Sequence, residues 1–123
     1  MYKEITYEVD GASAIITMNR PEQLNAWTDS MGDEIRQAFH NAEHDNNVVG
    51  IIFTGADRAF CSGADLSLLD NIVSGGRPDG SAIATPGDNT IGEGYRQTYS
   101  YIASIRKPVI AAIHGACVGM AIP

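Results

Sequence analysis

"IIFTGADRAFCSGADL", residues 51–66, runs from a continuous apolar stretch into a turn of small residues and then toward a helical start. The design returns in "VIAAIHGACVGMA", residues 109–121. Unbroken apolar runs of this length suit strands covered on both faces, as in a parallel sheet. Parallel neighbours need a crossover between them, usually helical. The two stretches therefore predict an α/β fold, with "VVGIIFTG" (48–55) and "VIAAIH" (109–114) as its buried strands.

The flanking sequence fits that frame. "ITYEVDGASAIITMN" alternates apolar and polar residues around Asp10-Gly11, the pattern of a β-hairpin with a tight turn. Thr28 or Asp29 can cap a helix running to about His44. Met31, Ile35, Ala38, Phe39 and Ala42 share one face of it. "LSLLDNIV" (66–73) reads as a short helix, and 74–92, rich in Gly, Pro, Ser and Asp, as a mobile surface loop. "EGYRQTYSYIASIR" (93–106) reads as a helix with Tyr95, Tyr99, Ile102 and Ile105 on one side, ended by Lys107-Pro108.

At 123 residues the chain is long enough for one domain with a real core. With 44% hydrophobic and 19% charged residues its composition is globular. The net charge of −7 argues against nucleic acid or an anionic membrane as the main partner. No apolar run approaches the ~20 residues of a membrane span, and the N-terminal "MYKEITYEVDG" carries no apolar signal region, so a cytoplasmic protein is expected. Cys61 and Cys117 form no CxxC pair and read as reduced, buried thiols. His40 and His44 lie one helical turn apart, yet no third ligand has matching spacing, so no metal site is expected. "GEGYRQ" (92–97) follows a loop and lacks the third glycine of a dinucleotide fingerprint.

Strand, small-residue turn, helix start is also a chemical arrangement. Ligands of open α/β sheets gather beyond the carboxyl ends of the strands. Glycine lets a main-chain N–H approach a ligand unobstructed. A helix start adds unpaired donors and a positive dipole end. Two such N–H groups converging on one oxygen would make an oxyanion hole.

Three stretches in register, "NRPEQLNAW" (19–27), "TGADRAFCSGADL" (54–66) and "KPVIAAIHGACVGMA" (107–121), resemble the crotonase superfamily, the enoyl-CoA hydratase/isomerases. The resemblance implies a crotonase-like (ClpP/crotonase) spiral of ββα repeats, with residues 1–123 as the N-terminal part of one such domain, cut before its helical C-terminal part. It implies an acyl-CoA thioester as partner, coenzyme A entering as part of the substrate with no separate cofactor, and an enolate stabilised by two main-chain amides. Carried onto this chain, those amides belong to Ala64 and Met120. Ser62, Gly63, Asp65 and Leu66 would lie along the CoA nucleotide and Gln23, Leu24 and Ala26 along the pantetheine arm, and Gly119 would also be substrate-binding. Arg20 and Arg58 are the cations nearest the expected phosphates. Asp65 also suits the N-cap of 66–73, and His114 a hydrogen-bonded strand end.

Two departures bear on the activity. The family usually has glycine where Met120 stands, so the methionine side chain should reshape the acyl pocket while its N–H remains. Pro123 occupies the position of a hydratase glutamate and cannot act as acid or base. The expectation is a hydratase or isomerase when full length, assembled as a trimer or hexamer, with the fragment alone inactive and either self-associating or requiring the missing half. The alternative is a non-catalytic acyl-CoA-binding or assembly subunit.

Overall fold

The computed structural model describes residues 2–67, 70, 86–92, 94 and 99–119. Four strands form one sheet in the order β1-β2-β3-β4: β1 Ile5–Asp10, β2 Ser13–Met18, β3 Gly50–Gly55 and β4 Val109–Ala111. The first pair is antiparallel, and β2/β3 and β3/β4 are parallel. The helix α1, Asp29–His44, makes the crossover from β2 to β3. Short 3-10 turns lie at Pro21–Gln23 and Tyr101–Ser104.

The hairpin forms where expected, one residue later than its Asp-Gly pair suggests. Asp10 pairs with Ser13, so Gly11 and Ala12 form the loop. Gly11 has φ +60° and Ala12 is not left-handed, the requirement of a type II′ turn, which needs glycine only at its first central position. Thr28 caps α1: its hydroxyl accepts from Met31 N–H at 3.0 Å and donates to the Glu4 carboxylate. At the other end Lys107 Nζ donates to the Ala42 and Asp45 carbonyls at 2.8 and 2.6 Å, placing a cation on the negative end of the helix.

Met31, Ile35, Ala38, Phe39 and Ala42 are all buried against the sheet, as their spacing predicts. Phe39 is fully buried. Its ring meets Phe53 and Tyr101 edge-on at 5.6 and 6.0 Å, and Phe53 meets Phe60 at 5.5 Å. Arg36 sets its guanidinium 5.3 Å over the Tyr101 ring, whose hydroxyl pKa is pushed up by burial.

Two strand expectations need correcting. In β3, Ile51 and Phe53 are buried whereas Ile52 and Thr54 are only half-buried: α1 covers one face, and the alternation follows. β4 is three residues long, and Ile110 within it and Ile113 beyond it are exposed, because among the described residues no helix or strand covers them. The expected helix over 93–106 is, in its described part, a 3-10 turn burying Tyr101 and Ser104. Tyr99 is exposed, and Ile102 and Ile105 are half-buried. Tyr95 lies outside the described residues, as do most of 66–73 and all of the 74–92 loop before Pro86. The end of that loop is tied down, with Gly87 N–H donating to Glu43 and Asp88 N–H to the Ser104 carbonyl.

Phe39 therefore joins helix, sheet and the segment before β4. Phe39→Ala is expected to lower the unfolding free energy by about 3–5 kcal/mol, read as a shifted urea midpoint. Asn46→Ala, on the exposed loop after α1, should stay within about 0.5 kcal/mol of the parent.

Candidate functional site

Leaving β2, the chain must turn back beneath the loop that follows β3. Leu24 and Asn25 do this with consecutive left-handed conformations, φ +51° and +56°. Asparagine tolerates that region because its short polar side chain bonds locally; leucine does so at a cost of about 1–2 kcal/mol. Asn25 is fully buried, and its amide is satisfied on both ends. Oδ1 accepts from Arg20 N–H at 2.8 Å, and Nδ2 donates to the carbonyls of Ala59 at 2.8 Å and Ala56 at 3.0 Å. Room for that amide exists because residue 55 is glycine: an added Cβ would meet Nδ2 at 2.9 Å and press on the Ala59 and Phe60 carbonyls.

From this anchor the connector and the loop run side by side. Ser62 N–H donates to the Leu24 carbonyl at 3.0 Å, and its hydroxyl to the Gln23 carbonyl at 3.3 Å. Trp27 N–H donates to the Gly63 carbonyl at 2.7 Å, and Asp65 N–H to the Trp27 carbonyl at 2.7 Å. Trp27 and Ala64 thus form a parallel bridge. Trp27 bonds on both sides of Ala64, so Ala64 turns its own N–H and C=O the opposite way. Among the described residues nothing accepts from the Ala64 N–H.

The second turn lies against the first. Cys61 and Cys117 form another parallel bridge. Gly63 has φ +103°, and a Cβ there would come within 3.3 Å of the Val118 carbonyl oxygen. Gly119 has φ +59°, with Gly63 Cα 3.9 Å from its would-be Cβ. The two glycine turns are therefore in van der Waals contact. Gly115, also left-handed at φ +62°, runs its backbone against the Arg58 carbonyl.

The expected site residues Gln23, Leu24, Ala26, Ser62, Gly63, Ala64, Asp65 and Gly119 come together on these adjoining strips. Leu66 follows them, 78% exposed. Met120, expected to give the second amide, lies outside the described residues, as does Pro123.

Arg20 is not a free cation. Its Nη1 donates to the Ala26 carbonyl at 2.6 Å and to Asp65 Oδ2 at 3.1 Å, and Nε lies 3.8 Å from Glu4. Arg58 remains exposed. Asp65 caps the following turn, with Oδ1 accepting from Ser67 N–H at 2.9 Å and Ser67 Oγ at 2.7 Å. These Ser67 bonds, and then Arg20, hold its carboxyl below the ordinary range. His114 Nε2 lies 2.8 Å from the Asp57 carbonyl, a hydrogen-bonded strand end as expected. Burial pushes the Cys61 thiol up, which disfavours the thiolate a nucleophile needs. No group of three or more metal-ligating side chains occurs among the described residues. Asn25 and the inward turn of Arg20 escaped the sequence reading. Their signal was an Asn-containing, non-helical connector between two elements that must approach each other.

A ββα unit leading through paired parallel strands into two touching glycine turns is the opening of a crotonase-like fold. The family model "Enoyl-CoA hydratase/isomerase" matches residues 8–121, and the chain belongs to that family. It is 36% identical over 118 residues to a Mycobacterium tuberculosis protein named "Probable enoyl-CoA hydratase EchA14", covering 96% of this chain and 42% of that one. It is 30% identical to the 1,2-epoxyphenylacetyl-CoA isomerase of Escherichia coli, covering 97% of this chain and 43% of that one. A crystal structure of an enoyl-CoA hydratase/isomerase from Mycobacterium paratuberculosis superposes with a TM-score of 0.72 at 35% identity, over 98% of this chain and 44% of that one. The chain thus spans less than half the length of these relatives. No helix among the described residues is long and apolar enough to cross a membrane.

Replacing Asn25 by Ala leaves two inward carbonyls and the Arg20 N–H without their partner, each worth about 1–3 kcal/mol if it stays dry. The expected loss in urea unfolding is about 3 kcal/mol, far beyond the effect at Asn46. The Asp65 clamp has a pH signature. Its folded carboxyl gives up its proton more readily than in the unfolded chain, where the pKa is about 3.9. The clamp's stabilisation is complete above that value and is lost as pH falls through the lower folded one. Urea midpoints measured from neutral to acid pH should show Asp65→Asn less stable at neutral pH and less sensitive to acid than the parent.

Proposed function

We propose that this chain carries the substrate-polarising half of an acyl-CoA enzyme of the enoyl-CoA hydratase/isomerase type. The thioester carbonyl sits between the main-chain N–H groups of Ala64 and Met120, which stabilise the enolate formed at the α-carbon. Gln23, Leu24 and Ala26 flank the pantetheine arm, and Ser62, Gly63, Asp65 and Leu66 the nucleotide, with Gly119 setting the second turn. Coenzyme A is part of the substrate, and no separate cofactor takes part. The same reading assembles the full-length protein as a trimer or hexamer.

The observation that carries this reading is the Ala64 N–H, turned away from the Trp27 bridge and unpaired among the described residues, on a turn touching the one that leads to Met120. Family membership and the relatives' printed names supply the thioester class. Those names include both a hydratase and an isomerase, and Pro123 where a hydratase glutamate is expected leaves both chemistries within the reading.

The test is removal of one hydrogen. In the full-length protein, Ala64→Pro should lower kcat on enoyl-CoA substrates by about 10²–10³ with a smaller change in KM. Because proline also restricts Gly63, an amide-to-ester replacement at residue 64 should reproduce the loss without the backbone constraint. Undiminished turnover in the ester variant overturns the assignment. Acyl-CoA binding by calorimetry without turnover on any enoyl, β-hydroxy or β-keto thioester would make the protein a binding member instead.

A further inference from the structure

Cys61 and Cys117 stand directly beside each other across the bridge that joins the two glycine turns. Cys61 N–H donates to the Ala116 carbonyl at 3.0 Å, and Val118 N–H to the Cys61 carbonyl at 3.1 Å. In a parallel pair this pattern puts the two residues in register, with side chains on the same face. Strand neighbours are about 4.8 Å apart, inside the roughly 4.4–6.8 Å between Cα atoms that a disulfide spans. Neither cysteine is in a disulfide. Cys61 is a fully buried member of the core, and Cys117 packs against that core from a half-buried position.

We propose that Cys61 and Cys117 form an oxidisable dithiol, with Cys117 the thiol that meets a hydroperoxide and Cys61 the thiol that resolves it into an intramolecular disulfide. In the first step the Cys117 sulfur attacks the peroxide, the O–O bond breaks, and Cys117 becomes a sulfenic acid as alcohol or water departs. In the second step, slower because burial keeps Cys61 mostly a thiol, the Cys61 sulfur attacks the Cys117 sulfur, the S–O bond breaks, and the Cys61 proton leaves with the hydroxyl as water. Two thiols and one hydroperoxide thus give one disulfide, one alcohol or water, and one water. The half-buried position of Cys117 and the full burial of Cys61 set the order of the steps. The disulfide would tie the turn carrying Gly63 to the turn carrying Gly119. The proposal does not depend on the acyl-CoA reading.

The experiment treats dilute native protein with tert-butyl hydroperoxide, blocks remaining thiols with N-ethylmaleimide, and weighs the intact chain and its peptides. The expected result is loss of both free thiols, a mass lower by two hydrogens, a Cys61 peptide joined to a Cys117 peptide, and recovery with dithiothreitol. Protein unfolded in guanidinium should form the link much more slowly. C61S should halt at a sulfenic acid on Cys117 that dimedone traps. Undiminished alkylation of both thiols, links only between chains, sulfinic acid at Cys117 beside an untouched Cys61, or equal yield from unfolded protein would overturn the proposal.

Discussion

A buried side-chain amide organises the end of the sheet where the chemistry-bearing turns lie. The loop after β3 turns the Ala56 and Ala59 carbonyls inward, and buried carbonyls need donors. No main-chain group of that loop supplies them; Asn25 does, from the connector between β2 and α1. Its oxygen closes the connector on itself at Arg20. Once that junction is made, the two segments run in register, and the bonds from Ser62, Trp27 and Asp65 follow as a short ladder. Gly55 and the left-handed pair Leu24–Asn25 are the local concessions the junction requires. The strain at Leu24 persists because the amide, the ladder and the Arg20 contacts together over-determine the turn.

What could be read from the residues follows the reach of each interaction. The hairpin and α1 were legible because their signals are local: period-two alternation, a glycine turn, an N-cap and a 3.6-residue apolar face. The burial of β3 and β4 was misjudged because Ile52, Ile110 and Ile113 are apolar whether or not anything covers them. Exposure is decided by what packs on a strand, which its own sequence does not encode. Tyr101 and Ser104 are buried in place of the predicted Ile102/Ile105 face because Tyr101 packs on Phe39 and under Arg36, partners more than sixty residues away that the segment's own spacing does not encode. The site divides the same way. The glycine turns could be seen in sequence, whereas Asn25 is 31 and 34 residues from the two carbonyls it holds, and its role appears only once the loop is folded over it.

Arg20 shows why a formal cation near an expected phosphate is a poor guide on its own. Its guanidinium is spent on the Ala26 carbonyl, Asp65 and Glu4, at a site only partly open to water. A planar fork with several fixed donors suits this joining of two carboxylates and a carbonyl better than a lysine would. With the whole chain carrying a net charge of −7, an anionic ligand must be met by main-chain donors and by exposed cations such as Arg58, not by a general positive field.

Asp65 poses the sharper electrostatic problem, because a carboxylate follows directly on the residue whose N–H is proposed to receive developing negative charge. Left bare, it would oppose an oxyanion at short range and weaken the donor it adjoins. Its charge is instead engaged: Oδ2 faces Arg20, and Oδ1 accepts two bonds from Ser67. The same contacts that keep Asp65 ionised offset its charge and fix the turn that follows. An asparagine could cap that turn, but it would leave the Arg20 guanidinium without its nearer carboxylate partner, 3.1 Å away against 3.8 Å for Glu4. Beside an amide proposed to receive negative charge, the carboxylate is tolerable only as half of a pair, and the Arg20 of that pair also secures the Ala26 carbonyl on the connector. Charge neutralisation and the placing of the Ala64 N–H are thus one structural solution, reached through a single guanidinium.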